Sequence, residues 1–307
     1  MTETRQHILH TLAYFDIFHY PLLKEEILRF HGENEPLADI EEALLLLEED
    51  GYIFRIENFY SLHDDPALVS RRKKGNELAA RQMQIARRAA AILARFPYVR
   101  GLAVSGSLSK NYCTEKTDID FFIITRSNRL WVARTLMHLY KKFTFLTGRQ
   151  KWFCMNYYID EACPEIEEKN IFTAIEIATL LPMQGKAALQ RFHKANAWIR
   201  HYFPGMAAGD STADEIKKGT LKKLIEWIFD RTWGGWLDKK LMRITEKRWA
   251  KKEERRQKNE HGFVMSMLVN THFSKPNPSF FQQKVLELYK SKLAGLPQID
   301  KLTAKAV

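Results

Sequence analysis

YVRGLAVSGSLSKNYCTEKTDIDFFIIT, residues 98–125, decides the fold. Its first part, YVRGLAVSG (98–106), predicts a buried strand ending in Gly106-Ser107. Residues 107–113 predict a short helix, and DIDFFIIT (118–125) a second strand opened by Asp118 and Asp120. Working outward, residues 129–147 predict a helix with Ser127 or Asn128 as its N-cap and Gly148 at its end. WFCMNYYID (152–160) then gives a third strand, so 98–165 forms an alternating β–α–β–α–β core.

The chemistry of this stretch lies in five residues. Gly106 has no Cβ, so a phosphate can approach its backbone closely. The turn feeds a helix N-terminus, whose free N–H groups favour an anion, and Ser107 adds a hydroxyl donor. Asp118 and Asp120, as i and i+2 of a strand, project to one face. Two such carboxylates repel each other unless a cation sits between them, and hard oxygen ligands suit Mg²⁺. Lys110 stands within reach of a triphosphate or of an acidic neighbour. The aspartate pair can therefore hold Mg²⁺ against a triphosphate.

Ten residues separate Ser107 from Asp118, and Gly-Ser followed at that distance by Asp-x-Asp resembles the signature of the DNA-polymerase-beta-like nucleotidyltransferase superfamily. The resemblance spans roughly residues 98–160. It implies a small mixed β-sheet and Mg²⁺-dependent transfer of a nucleotidyl group from an NTP to an acceptor hydroxyl. Gly106, Ser107 and Lys110 would hold the nucleotide, and Asp118 and Asp120 would serve as metal ligands and catalytic groups. Lys110 stands where the family often has Arg, and Asn111 where it often has Gly; Asn is the next-best residue for a left-handed helix end. The family usually adds a third carboxylate from the third strand, at a position that reads here as Asn156. Asp160 shares its face but lies about 13 Å further along. The neutral Asn156 leaves a second reading open: a catalytically inactive nucleotide-binding regulatory protein acting through the N-terminal module. In some members, notably those of the aminoglycoside-modifying type, a Glu base stands on a helical domain beside the core. By that analogy Glu176, in the apolar helix NIFTAIEIATLL (170–181), is a candidate catalytic base; the plainer alternative is a Glu paired with a nearby Lys or Arg.

Around this core the chain divides by composition. Residues 1–65 hold 4 Lys+Arg and 15 Asp+Glu, while the remainder holds 44 and 22. Three helical stretches, 5–18, one starting at Pro21 and one through Asp50, precede a short β-hairpin around Glu57-Asn58. That order resembles a winged helix. A net charge of −11 over this segment repels phosphates, so it reads as a protein-contact, self-association or interdomain element rather than a nucleic-acid reader. Residues 66–97 predict one basic helix, read as a solvated connector ahead of the alternative, docking against the acidic module. Residues 166–307 predict a helical C-terminal domain, with a candidate boundary at 204–213, a break at Gly262 and a helix start at Asn277-Pro278. Arg191 and Lys194 are candidate phosphate contacts, with solvated surface charge as the default. In 231–258 the spacing of Trp233, Trp236, Leu237, Leu241 and Ile244 predicts a core stripe. Three cysteines without a CxxC pair exclude a disulfide framework or a thiolate zinc site. The absence of a long apolar run or leader-like segment points to a cytoplasmic protein with no membrane partner. The expectation is therefore an α+β chain: acidic winged-helix-like module, connector, nucleotidyltransferase core and helical domain, with the acceptor unidentified.

Overall fold

A computed structural model describes residues 2–33, 35–206, 213–217, 219–230, 233–258, 264–276 and 280–297. Ile8, Leu9, Leu12 and Phe15 are buried on one face of helix α1 (Thr2–Asp16). Strand β1 (Leu22–Leu23) follows, then helices α2 (Lys24–Arg29) and α3 (Leu37–Glu49) and the hairpin β2 (Phe54–Ile56) and β3 (Phe59–Ser61). β3 pairs antiparallel with both β1 and β2, giving the order β1-β3-β2. The helix expected from Pro21 thus begins only after Leu22 and Leu23 have paired with Tyr60 and Phe59. Leu22 is fully buried, and Glu26 marks the real helix start by accepting the Leu23 N–H at 2.9 Å.

Helix α4 (Pro66–Leu93) starts at an Asp65 cap with Pro66 in its first turn. Its basic N-terminal end is not merely solvated: it docks on the acidic module, as the alternative reading held. Arg72, 1 % exposed, donates to Glu26 at 2.7 Å and to the Pro21 carbonyl at 2.8 Å, and lies 3.6 Å from the Tyr20 ring centroid. Arg71 donates to the carbonyls of Phe18 and His19, and Lys73 meets Glu57.

The core then runs β4 (Val99–Val104), α5 (Gly106–Ser109), β5 (Asp120–Thr125), α6 (Leu130–Thr144) and β6 (Cys154–Asp160). After it come α7 (Ile171–Ala178), β7 (Leu181–Gln184), α8 (Lys186–Ala195), α9 (Thr220–Phe229), α10 (Trp233–Glu254), β8 (Met267–Val269), β9 (Phe273–Pro276) and α11 (Phe281–Gly295). Among the described residues, six strands form one mixed sheet in the order β7-β4-β5-β6-β9-β8, with β5 and β6 parallel and the other neighbours antiparallel. Residues 166–307 are therefore not a purely helical domain, because they supply β7, β8 and β9 to the core sheet. Pro182 hides β7 from pattern reading, and β7 tolerates it because it is an edge strand. The boundary expected at 204–213 falls largely on residues outside those described, as do Gly262 and the Asn277-Pro278 helix start.

β5 explains the layering. Phe121 and Ile123 face one side, packing with Met155, Tyr158 and the alanines of α4. Phe122 and Ile124 face the other, packing with Ile159, α7, α8 and the N-terminal module. A run buried on both faces needs helices on both sides of the sheet. The N-terminus of α6 is capped from a distance, not by Ser127 or Asn128: Asp238 accepts the Val132 N–H at 2.9 Å and Asp160 that of Asn128 at 2.8 Å. On α10 only part of the expected stripe is core. Leu237 and Leu241 pack inward, whereas Trp233, Trp236 and Ile244 are exposed. Among the described residues, no helix is long and apolar enough to cross a membrane.

Arg72 ties the acidic module to α4 with a buried charge, so its loss strands a carboxylate and a carbonyl. We expect Arg72→Ala to lower unfolding free energy by about 3 kcal/mol in urea denaturation, with Arg72→Lys recovering only part because one ammonium cannot serve the same fork of acceptors. A loss under about 1 kcal/mol, the range of surface pairs, would contradict this role.

Candidate functional site

β4 and β5 run antiparallel with Val104 opposite Phe121, which brings the end of β4 to the start of β5. The Ser105 N–H extends the pairing by donating to the Asp120 carbonyl at 2.9 Å. The chain then turns at Gly106, with φ of +68°. A Cβ there would stand 2.7 Å from Asp120 Oδ2, so the carboxylate occupies the space that only glycine leaves open. The sequence-predicted juxtaposition of Gly106-Ser107 with Asp120 is thus present at one end of the sheet.

α5 is a single four-residue turn, so its free N–H groups, not a helix dipole, are what it offers an anion. Ser107 uses its carbonyl to hold the turn, accepting from Lys110 N at 3.0 Å and Tyr112 N at 3.1 Å. Among the described residues its hydroxyl has no hydrogen-bond partner. Asn111 takes the left-handed conformation, φ +54°, that its place in the sequence predicts.

Asp118 lies just before β5, separated from Asp120 by the buried Ile119. Among the described residues Asp120 forms no salt bridge. Although Asp120 as a residue is half-buried, its carboxyl lies deep, and burial pushes its pKa up to about 6. Asp118 and Glu176 add to the rise by repulsion; a hydrogen bond from Cys154 and the charge of Lys141 oppose it. Burial likewise raises the nearby Cys113 thiol to about 11, with Asp120 contributing.

The helix carrying Glu176 is capped by Asn170, whose side chain accepts the Thr173 N–H at 3.0 Å. Glu176 comes to the site and pairs with Lys110 at 2.7 Å; the same ammonium donates to the Gly106 carbonyl at 3.2 Å. The plainer reading of Glu176 therefore holds: it stands beside the core with a lysine partner. Burial, then repulsion from Glu176, raises the pKa of Tyr14, so α1 of the N-terminal module also adjoins this carboxylate. The module touches the turn directly as well, through the Tyr20 hydroxyl bonded to the Lys110 carbonyl.

Asn156 is not at Asp120. The β5–β6 register pairs Asp120 with Cys154 and shifts between Phe121 and Phe122, whose partners are Met155 and Tyr157, leaving Asn156 as the extra residue of a bulge. The side chain beside Asp120 is the Cys154 thiol, which donates to the carboxylate; burial, then Asp120, drives its pKa far up. Sequence reading passed over Cys154 because a bulge leaves no mark in the period-two pattern. Asp160 is excluded as a ligand: fully buried opposite Thr125, it accepts from Asn128 N, Ala162 N and Cys163 N and lies 3.1 Å from His272 Nδ1. Arg191 is bound to Glu161 at that same distant end, so it does not meet the turn.

Among the described residues, the group of three metal-type side chains with all donor atoms within 4.8 Å of one another is Glu3, His7 and Glu33 on the N-terminal module. Asp118 and Asp120 form no such group of three among those residues, and Glu176 is turned to Lys110. A cavity of about 530 Å³ adjoins the turn from behind, bounded by Ser109, Lys110 and Asn111, by Arg29 and Phe30 of the module, and by Met83 and Arg87 of α4.

The raised pKa of Asp120 has a defined sign. The native state binds more protons than the unfolded chain between about pH 4 and 6, so stability falls as pH rises through that window and the cost is complete above it. We expect Asp120→Asn to stabilise the metal-free protein by on the order of 2 kcal/mol above about pH 7 and to make little difference below about pH 4, read from urea unfolding across pH. A variant that is less stable than wild type at neutral pH would show that burial and its acidic neighbours do not disfavour the charged carboxylate. In comparison with known proteins, the chain matches no family model, and no curated protein or solved structure matches it.

Proposed function

We propose that this chain is a Mg²⁺-dependent nucleotidyltransferase of the DNA-polymerase-beta-like type, transferring a nucleotidyl group from an NTP to an acceptor hydroxyl. The observation that carries the reading is the Asp120 carboxylate set against the backbone of the Gly106 turn. In this reading the turn's N–H groups, the Ser107 hydroxyl and the Lys110 ammonium receive the β- and γ-phosphates. Asp118 and Asp120 are hard oxygen donors whose repulsion a divalent cation relieves, so their chemistry fits Mg²⁺. Bound there, Mg²⁺ would polarise the α-phosphate. Lys110 and Glu176 then act as an exchange pair. A phosphate that takes the ammonium releases the carboxylate, which is placed beside Asp120 to accept the acceptor's proton. The acceptor oxygen forms its bond to the α-phosphorus as the bond to the bridging oxygen breaks, and pyrophosphate leaves.

A second reading, a nucleotide-binding regulator without turnover, is favoured by two observations. Cys154 stands beside Asp120 where a third carboxylate would complete the metal site. The Tyr20–Lys110 bond also gives the N-terminal module a direct grip on the phosphate turn. In that reading residues 1–65, taken as a winged-helix-like module, report occupancy of the site to a protein partner.

Both readings require nucleotide binding at the turn. Thermal unfolding with each NTP and Mg²⁺ should show stabilisation of ~2.7 kcal/mol at a hundredfold excess over the dissociation constant, lost in Asp118→Asn/Asp120→Asn. An undiminished response in the double variant removes the site. Release of pyrophosphate with acceptor pools then decides between enzyme and regulator. Because Glu176 competes with phosphate for Lys110, Glu176→Gln should bind NTP several-fold more tightly while turning over ~10²-fold more slowly. Full turnover in that variant would eliminate Glu176 as the base.

A further inference from the structure

Helix α9 is packed inside out. Its inward side carries the polar pair Lys222 and Glu226 beside the half-buried Ile225 and Phe229, and its outward side the apolar set Leu221, Leu224, Trp227 and Ile228. In a helix at a protein surface the apolar set faces the core. Here the polar pair faces it. Lys222, 3 % exposed, donates to the carbonyls of Ala94 at 2.9 Å and Val99 at 2.8 Å. Glu226 is held by both guanidinium nitrogens of Arg100, at 2.8 and 3.0 Å, and by the Tyr98 N–H at 2.8 Å. These bonds fix the rotation of the helix. Leu221 is left 69 % exposed, Trp227 60 %, and Leu224 and Ile228 are also in solvent.

α10 repeats the inversion and extends the surface. Asp238 is buried as the cap of α6, while Trp233 and Trp236 are exposed. The Trp233 ring lies 4.8 Å from that of Phe229, the last residue of α9, so the two helices present adjoining apolar ground. Lys223, Lys239, Lys240 and Arg243 are exposed around it, and Lys247 and Arg248 continue the positive charge along α10, against Asp230 and Glu246. Asp230 is already paired with Arg126.

We propose that the α9–α10 face is a peripheral docking surface for an anionic lipid bilayer. Leucine, isoleucine and tryptophan beside a lysine- and arginine-rich margin is the composition that sinks into the headgroup boundary, where indole rings find both an apolar and a wet side. Charge chooses this occupant over a second copy of the chain, since two-fold pairing would set the same cations against each other whereas a negative leaflet attracts them. Among the described residues no helix is long and apolar enough to cross a membrane, and this contact needs none, because it lies in the plane of the surface.

The test is co-sedimentation of the full chain with vesicles. Wild type should pellet with phosphatidylglycerol/phosphatidylcholine vesicles at low salt, stay in solution with phosphatidylcholine alone, and show a blue shift of tryptophan emission on binding. Leu224→Glu/Trp227→Glu should abolish pelleting. Lys239→Gln/Lys240→Gln/Arg243→Gln should weaken it about a hundredfold. The second variant alters only exposed side chains, so it carries the test if the first misfolds. Wild type that stays in solution with anionic vesicles overturns the proposal. So does a dimer in sedimentation velocity that Trp227→Glu converts to monomer, which would assign the face to a second copy.

Discussion

The antiparallel pairing of β4 with β5 is the constraint on which the site depends. It sets Val104 opposite Phe121, which leaves Asp120 one residue and Gly106 two residues beyond that pair at the same end of the sheet. Everything else at the turn follows from that register. The carboxylate fills the place of a missing Cβ, the turn adopts a positive φ, and Lys110 swings back to bond the Gly106 carbonyl and Glu176. Shifting β5 by one residue would turn Asp120 to the opposite face and bring Phe121 to the turn. Because Phe121, Phe122, Ile123 and Ile124 are buried on both faces, their pattern alone does not forbid that slip, and the ladder that starts with the Ser105–Asp120 hydrogen bond holds the register.

The site is a set of like charges held together by the rest of the fold. Asp118, Asp120 and Glu176 come from two separate elements, and Lys110 and Lys141 only partly offset them. Such an arrangement is unfavourable in the empty protein and becomes favourable when a cation or a cationic group arrives. Proteins that keep strain of this kind at one place are supported elsewhere. Here the support includes Arg72 beneath the N-terminal module and the Asp160 and Asp238 caps of α6.

The parts legible in sequence were those carried by strong local patterns. The apolar run of β5, the Gly-Ser turn and the left-handed Asn111 stand where their residue types place them, whereas Asp118, expected inside the strand, falls just before it and only Asp120 opens β5. The parts that escaped depend on long-range contacts. β7 hides behind Pro182, which an edge strand accepts and a propensity rule rejects. The bulge that puts Cys154 instead of Asn156 beside Asp120 is a register event between two strands, invisible in either one. The exposure of Trp233 and Trp236 contradicts a helical stripe that is correctly spaced, because the buried Asp238 and Glu226 dictate which way the helices face. A period tells which residues share a side, and only the partner tells which side is inside.

The first and last described helices lie against each other. Lys292 of α11 meets Asp16 of α1 at 2.5 Å, and Tyr289 stacks edge-on against Tyr14 at 5.6 Å. β9, near the end of the described chain, completes the sheet beside β6. During synthesis the amino-terminal helices therefore emerge long before their last neighbours exist. The nascent chain must carry Tyr14 and the open edge of β6 unprotected until the ribosome has delivered the final third, an interval of about 10 seconds or more at ordinary translation speeds. Contacts so distant in sequence also slow the search for the native state.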